Sequence, residues 1–174
     1  MPRYSRTAIA MHWLMAVLII ATFVLGLIMT DIPGFTPAKL RYFSWHKWLG
    51  VTVLWLAAIR LLWRLKNAAP PYPASMPLWQ QKAAHGLHGM LYLLFFAVPI
   101  SGYVYSLTAG VPVVYLGIIP LPVFMDASPE WKPVFKAMHF WLVMSLAALV
   151  LAHVGAAIKH HFIDRDGILK RMLP

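Results

Sequence analysis

The sequence predicts an all-α integral membrane protein, a four-helix bundle with both termini in the cytoplasm. Of its 174 residues, 61% are hydrophobic and 11% are charged, which is too apolar for a soluble domain of this length. Four stretches are long enough for a helix to cross a hydrocarbon core of ~30 Å, which takes about 20 residues. Eleven of the fourteen prolines fall between these stretches and indicate the connections. We therefore expect a single membrane domain over residues 1–174 that spans the lipid bilayer several times.

The predicted spans are approximately 8–29, 45–65, 83–107 and 134–162. Arg3 and Arg6 precede the first span, as in a signal peptide, but the apolar run is too long and no small-x-small cleavage site precedes Asp31. The second span carries Arg60 and Arg64 in its last turns, where long basic side chains can reach the interface. All four stretches are therefore predicted to be membrane helices.

The distribution of basic residues predicts the orientation of the bundle. One side receives Arg3, Arg6, Arg60, Arg64, Lys66, Lys82, Lys159, Arg165, Lys170 and Arg171. The other side receives Lys39, Arg41, Lys47, Lys132 and Lys136. The richer side is expected to be cytoplasmic. The net charge of +10 is thereby interpreted through topology, and no nucleic-acid partner is predicted.

The absence of cysteine excludes several kinds of redox chemistry. Disulfides, iron–sulfur clusters, thiolate metal sites and haem attached covalently through cysteine all need thiols. Any redox cofactor must therefore be held by other side chains.

Two histidines lie on one face of the fourth span. His139 and His153 are fourteen residues apart, which corresponds to about 21 Å along a helix and falls about 40° short of four whole turns. One ring is thus expected near each membrane surface. Because ionisable groups in lipid are costly, they usually face the bundle interior and mark a function.

The other spans repeat this spacing of fourteen residues between an inner and an outer level. The pairs are His12 with Gly26, His88 with Gly102, and His46 with Arg60. Glycine in a membrane helix permits close packing, but glycine at the level of a ligand also leaves room for a flat macrocycle. The shared register favours a bound planar group.

The type of cofactor follows from the absence of acidic residues beside these histidines. Zinc, di-iron and proton relays normally recruit carboxylates, whereas all five acidic residues fall in predicted loops or the C-terminal tail. Haem b between two axial histidines fits best. Depth predicts two haems, an outer one between His46 and His139 and an inner one between His12 and His153. His85 and His88 are rival inner ligands.

Four segments carry a family resemblance. They are SRTAIAMHWLMA, WHKWLG, AAHGLHGMLYLLF and MHFWLVMSLAALVLAHVGAAIKHHF, and together they resemble the bacterial cytochrome b561 family of dihaem four-helix cytochromes of the inner membrane. The resemblance covers nearly the whole chain. It implies that His12, His46, His139 and His153 are the axial ligands. Related cytochromes with a similar helix plan are subunits of formate dehydrogenases and hydrogenases and pass electrons to quinone.

Basic residues surround the outer ligand His46. Lys39, Arg41 and Lys47 would neutralise haem propionates, contact lipid phosphates, or attract a small anion, since a positively lined approach raises encounter rates. Members of the resembled family are superoxide oxidases, which pass an electron from periplasmic superoxide to ubiquinone. The resemblance thus implies superoxide steering by these three cations.

Polar groups also gather at the inner level. The candidates to line a quinone pocket or bind haem propionates there are Arg60, His85, His88, His160 and His161. The alternative is that these side chains contact lipid headgroups or water.

The sequence and the resemblance together predict a superoxide:ubiquinone oxidoreductase with two haems b. The alternative is an electron-transfer subunit that links a partner dehydrogenase or hydrogenase to quinone. A structural or transport protein without haem is expected only if the histidine register is accidental.

Overall fold

The computed structural model describes residues 3–173, and within this range four long helices are each apolar and long enough to cross a membrane. They are α1 (Arg6–Asp31), α2 (Pro37–Lys66), α3 (Leu78–Thr108) and α4 (Lys132–Lys159). The prediction of an all-α membrane bundle is confirmed. The predicted spans lie within these helices, the fourth together with the π-helical turn His160–Asp164 that continues α4.

Local sequence accounts for the helix starts. Ser5 and Thr36 cap α1 and α2, accepting hydrogen bonds from the backbone N–H groups of Ala8 and Lys39 at 3.2 and 3.1 Å. Pro37 occupies the first turn of α2, where its missing N–H costs no helical hydrogen bond. These caps fix where α1 and α2 begin, and therefore how far along each of these helices its histidine lies.

Consecutive helices pack as antiparallel neighbours. Leu91 and Leu94 of α3 and Leu146 of α4 form a buried cluster, against which Ile19 of α1 also packs. Many large apolar side chains remain exposed on the outside of the bundle, as expected for a lipid-facing surface. The cluster lies between the two levels at which the histidines occur.

A small β-hairpin lies in the connection between α3 and α4 and was not predicted. Strands β1 (Val114–Tyr115) and β2 (Ile119–Pro120) pair antiparallel. Leu116 and Gly117, in the three-residue connection between the strands, have φ of 54° and 76°, the positive values found at both central residues of a type I′ turn. The Trp48 indole N–H donates to the Val114 carbonyl at 2.7 Å, and the Thr52 and Tyr115 hydroxyls are 2.9 Å apart. The hairpin is thus fastened to the outer half of α2.

The C-terminal segment folds back onto the inner end of the bundle. The indole N–H of Trp13 donates to the carbonyl of Met172 at 2.8 Å, and the Arg171 guanidinium donates to the carbonyl of Pro71 at 2.6 Å. The backbone N–H of Tyr4 also donates to the Arg171 carbonyl at 3.3 Å. The segments near both ends of the described range and the α2–α3 connection therefore lie on one face of the bundle.

Candidate functional site

The outer site is formed by His46 on α2 and His139 on α4. Their ring centroids are 6.3 Å apart, and the ring planes are inclined at 89°. Nδ1 of His46 lies 2.9 Å from the carbonyl oxygen of Thr22. Nδ1 of His139 lies 3.1 Å from the carbonyl oxygen of Val98. With Nδ1 committed to a carbonyl in each ring, Nε2 is left available for a ligand, the arrangement found in most histidines that bind metals.

Two glycines make these hydrogen bonds possible. Gly26 and Gly102 are each four residues after the carbonyl that accepts the hydrogen bond, and in a helix that carbonyl points toward residue i+4. A Cβ on Gly26 would lie 3.3 Å from Cε1 of His46, and one on Gly102 would lie 2.9 Å from Cε1 of His139. The space beside these glycines is thus taken by the imidazoles of the neighbouring helices, where the sequence suggested room for a macrocycle.

The inner site contains three imidazoles. The ring centroids of His12 on α1 and His153 on α4 are 6.1 Å apart, and those of His88 on α3 and His153 are 5.4 Å apart. All three side chains are partly buried. The structure therefore brings together the predicted inner ligands and one of their two predicted rivals.

Arginine side chains of α2 adjoin this inner group. The Arg60 guanidinium donates to the carbonyl of Ala8 at 3.3 Å, one helical turn before His12 on α1. Arg64 lies 5.6 Å from the ring centroid of Tyr92 on α3, within reach of a cation–π contact. A fixed positive charge therefore accompanies the inner imidazoles.

Two of the remaining predicted inner residues make ring contacts with aromatic side chains outside this group. His85 is exposed, and its ring packs against Tyr72 of the α2–α3 connection with centroids 5.3 Å apart. His161 packs against Phe162 with centroids 4.6 Å apart. Neither contact joins these two histidines to His153.

His160 is held by two carboxylates, which sequence reasoning missed. Its Nδ1 lies 2.6 Å from Oδ2 of Asp166 and 3.0 Å from Oδ2 of Asp164, and its side chain is 12% exposed. Lys159 contributes a further ion pair to Asp164 at 2.6 Å. Arg165 has a left-handed φ of 52°, and the chain turns there to bring Asp166 back to His160. A partly buried acid–imidazole pair therefore stands at the inner end of α4.

The three predicted outer cations differ in their surroundings. The Lys39 ammonium donates to the carbonyl of Ile32 at 2.6 Å, at the end of α1. Arg41 is exposed, whereas Lys47 is partly buried next to His46 in the chain. All three belong to the first turns of α2, at the same end of the bundle as the outer imidazoles.

The residues present fit the ligation of haem. Two imidazoles that each bind one metal ion through a ring nitrogen, at a metal–nitrogen distance of about 2.0–2.1 Å, have ring centroids no more than roughly 6.5 Å apart. The separations of 6.3 Å for His46 with His139 and 6.1 Å for His12 with His153 lie within this limit. The donors are nitrogen atoms in apolar helices, the set expected for haem iron.

Four membrane helices with paired imidazoles at two levels define a membrane b-type cytochrome. The model of the prokaryotic cytochrome b561 family matches residues 3–174. The chain belongs to this family of haem b proteins, and its role is electron transfer. The family resemblance noted in the sequence is thus confirmed.

Individual relatives support the assignment along the whole chain. Cytochrome b561 homolog 2 of Escherichia coli (strain K12) is 37% identical, covering 98% of this chain and 91% of its own length. Cytochrome b561 homolog 1 of the same organism is 31% identical, over 100% and 98%. The probable superoxide oxidase CybB of Yersinia pestis is 30% identical, over 99% and 96%.

Proposed function

We propose that the chain carries two haems b and transfers electrons across the membrane from superoxide to ubiquinone. The observation that carries this proposal is the presence of two imidazole pairs, with centroids 6.3 and 6.1 Å apart, at levels separated by about four helical turns. Each haem supplies reversible one-electron transfer when bound. Two such carriers at different depths provide a path across the bilayer.

His46 and His139 hold the outer haem in this proposal, and His12 and His153 hold the inner one. At the inner level His88 competes with His12 as the partner of His153. The centroid separation of 6.1 Å between His12 and His153 leaves more room for an ion between the two rings than the 5.4 Å between His88 and His153. His85 lies against Tyr72 instead. The spacing therefore supports His12.

Superoxide is the proposed electron donor because the approach to the outer site is cationic. Lys39, Arg41 and Lys47 lie on the helix that carries His46, and a positive field raises the encounter rate of a small anion. The relative from Yersinia pestis named as a probable superoxide oxidase supports the same donor. Each superoxide ion gives up one electron and leaves as dioxygen.

Ubiquinone is the proposed acceptor at the inner end. Its reduction to ubiquinol takes two electrons, supplied by two superoxide ions, and two protons. The candidates to contact the quinone or haem propionates are Arg60, His85, His88, His160 and His161. Of these, His160 combines partial burial with two carboxylate partners, which suits a group that passes protons from the cytoplasmic surface.

The location follows from topology. Tyr4 contacts Arg171 and Trp13 contacts Met172, which supports termini on the same side of the membrane, and the side with more basic residues is expected to be cytoplasmic. This arrangement supports a multi-pass protein of the bacterial inner membrane whose outer site faces the periplasm.

The function is tested with the purified chain reconstituted in lipid, supplied with superoxide and ubiquinone and with no other protein. We expect rapid haem reduction followed by quinol formation. Haems that stay oxidised until a dehydrogenase or hydrogenase is added would instead support the alternative, an electron-transfer subunit serving a partner enzyme. Adding superoxide dismutase as a control should abolish the reaction if superoxide is the donor.

A further inference from the structure

Three polar atoms meet beside His139 in the bundle interior. The Ser101 Oγ lies 2.9 Å from Nδ1 of His139 and 2.7 Å from the carbonyl oxygen of Val98. The same Nδ1 lies 3.1 Å from that carbonyl oxygen. Ser101 is 3% exposed, so its hydroxyl depends on partners inside the protein.

The protons of this triangle can be assigned from its geometry. A carbonyl oxygen accepts hydrogen bonds and cannot donate one. The Ser101 hydroxyl therefore donates its hydrogen to Val98, and its lone pairs face Nδ1 of His139. Nδ1 must carry a hydrogen, because a bare Nδ1 would set its lone pair against the Val98 carbonyl. His139 is thus held as the Nδ1–H tautomer, with the Nε2 lone pair free.

The two outer histidines differ in the hydrogen-bond partners of their Nδ1 atoms. Nδ1 of His46 has the Thr22 carbonyl as its acceptor at 2.9 Å. The Thr22 hydroxyl donates instead to the carbonyl of Leu18 at 2.7 Å. Within residues 3–173, a side-chain hydroxyl therefore contacts the Nδ1 of His139 but not that of His46.

We propose that Ser101 is a positioning residue that acts through His139 to lower the reduction potential of the outer haem. Donation from Nδ1–H raises the basicity of a metal-bound imidazole, and a more basic ligand favours the oxidised iron. The donation of the Ser101 hydroxyl to Val98 polarises its oxygen and makes it a stronger acceptor. The inference rests on the proposed ligation of haem by His139 and is independent of the electron donor.

A lower potential at the outer level would assist the proposed direction of transfer. Positive side chains occur at both levels, with Arg60 at the inner imidazoles and Lys47 next to His46 in the chain, and they favour the reduced state of a haem at either level. The Ser101 hydrogen bond acts in the opposite sense and only on the outer level. It therefore favours electron transfer from the outer haem to the inner one.

The test is a redox titration of the purified holoprotein carrying Ser101→Ala, followed by the optical and EPR spectra of both haems. We expect both haems to be retained, the outer potential to shift upward, the inner potential to stay unchanged, and the EPR spectrum of the oxidised outer haem to change. Ser101→Thr should keep the native potential, because the hydroxyl of a threonine in a helix can also donate to a carbonyl of the preceding turn. Thr22→Val is the matched control and should move neither potential, since it keeps the carbonyl that His46 uses.

The outcomes separate this inference from the proposed ligation. If His139→Ala keeps both haems, His139 is not a ligand and the ligation itself is wrong. If His139→Ala loses the outer haem while Ser101→Ala leaves its potential unchanged or lowers it, the role of Ser101 is refuted. A shift of similar size in Thr22→Val would likewise refute it, since that result indicates a general response to packing.

Discussion

A methyl group on Gly102 would lie 2.9 Å from Cε1 of His139, so the imidazole reaches α3 only because residue 102 lacks a side chain. Separations under 3.0 Å essentially never occur at real Cβ atoms, and the nearest atoms belong to a ring held by Val98 and Ser101. The ring therefore cannot yield without losing these hydrogen bonds.

Gly102→Ala is expected to displace His139 and to reduce outer haem occupancy. Overpacking an ordered interior typically costs about 1–3 kcal/mol. Gly26→Ala should be milder, because its Cβ would meet His46 at 3.3 Å. Haem content by difference spectroscopy and thermal unfolding measure both effects. Gly155→Ala on α4 is the control, since its Cβ would meet nothing within 4 Å; comparable haem loss in all three variants would contradict the argument.

Ligand substitutions should remove the haems separately. We expect His46→Ala and His139→Ala to lose the outer haem, and His12→Ala and His153→Ala to lose the inner one. The stoichiometry of haem per chain, with optical and EPR spectra, measures the result.

His88→Ala is the matched comparison at the inner level, since its ring also lies beside His153. It should keep both haems with unchanged axial ligation. If His88→Ala loses a haem while His12→Ala keeps two, the inner pairing proposed above is wrong.

Much of this arrangement could be predicted because side-chain type and helical periodicity are both visible in the sequence. Apolar stretches long enough to span a bilayer gave the four helices, and histidines fourteen residues apart could be assigned to depths. The hydrogen bonds to the outer histidines could not be predicted from the sequence, because Thr22 and Val98 accept them through backbone carbonyls, which every residue has. A glycine four residues later was the available signal, and it was interpreted as room for a macrocycle.

Short irregular segments were also beyond prediction. Strands of two residues give no alternating pattern of apolar and polar side chains. Gly117 was therefore the main sequence signal for the hairpin that begins at Val114. The partners of His160 were assigned to the tail, because the pairing depends on a π-helical turn and on the left-handed conformation of Arg165. Neither follows from residue type alone.

The acid–imidazole pair at the inner end should matter for quinone reduction. His160→Ala and Asp166→Asn are each expected to slow quinone-dependent haem oxidation several-fold, because a proton path to the quinone would be interrupted. Both haem spectra should stay unchanged. Stopped-flow oxidation of the reduced protein by ubiquinone measures the rate.

His161→Ala is the neighbouring control for this experiment. The ring of His161 packs on Phe162 and lacks the carboxylate partners of His160 among the described residues. Its effect should be the smaller one. Equal slowing by both variants would argue against a specific role for His160.

The location of the quinone site can be tested separately with a photoreactive quinone. Crosslinking to residues 109–131 would place the quinone at the opposite face of the bundle.

The outer cations should act on superoxide through a long-range field. The Debye length falls from about 30 Å at 0.01 M ionic strength to about 10 Å at 0.1 M. Haem reduction by superoxide should therefore slow as salt is raised. Charge-neutral substitutions at Lys39, Arg41 and Lys47 should slow the reaction at low salt and flatten its salt dependence.

Arg41→Gln is the sharpest of these substitutions. Arg41 is exposed, whereas the Lys39 ammonium also bonds to the end of α1 at Ile32, so Lys39→Gln would alter the helix end as well as the charge. Lys136→Gln, on the same side of the membrane but on α4, tests whether any outer cation serves equally. If Arg41→Gln retains the native rate and salt slope, steering by this residue is excluded. Slowing by Arg41→Gln that exceeds that by Lys136→Gln and disappears at high salt is the result expected of a local field that guides a small anion.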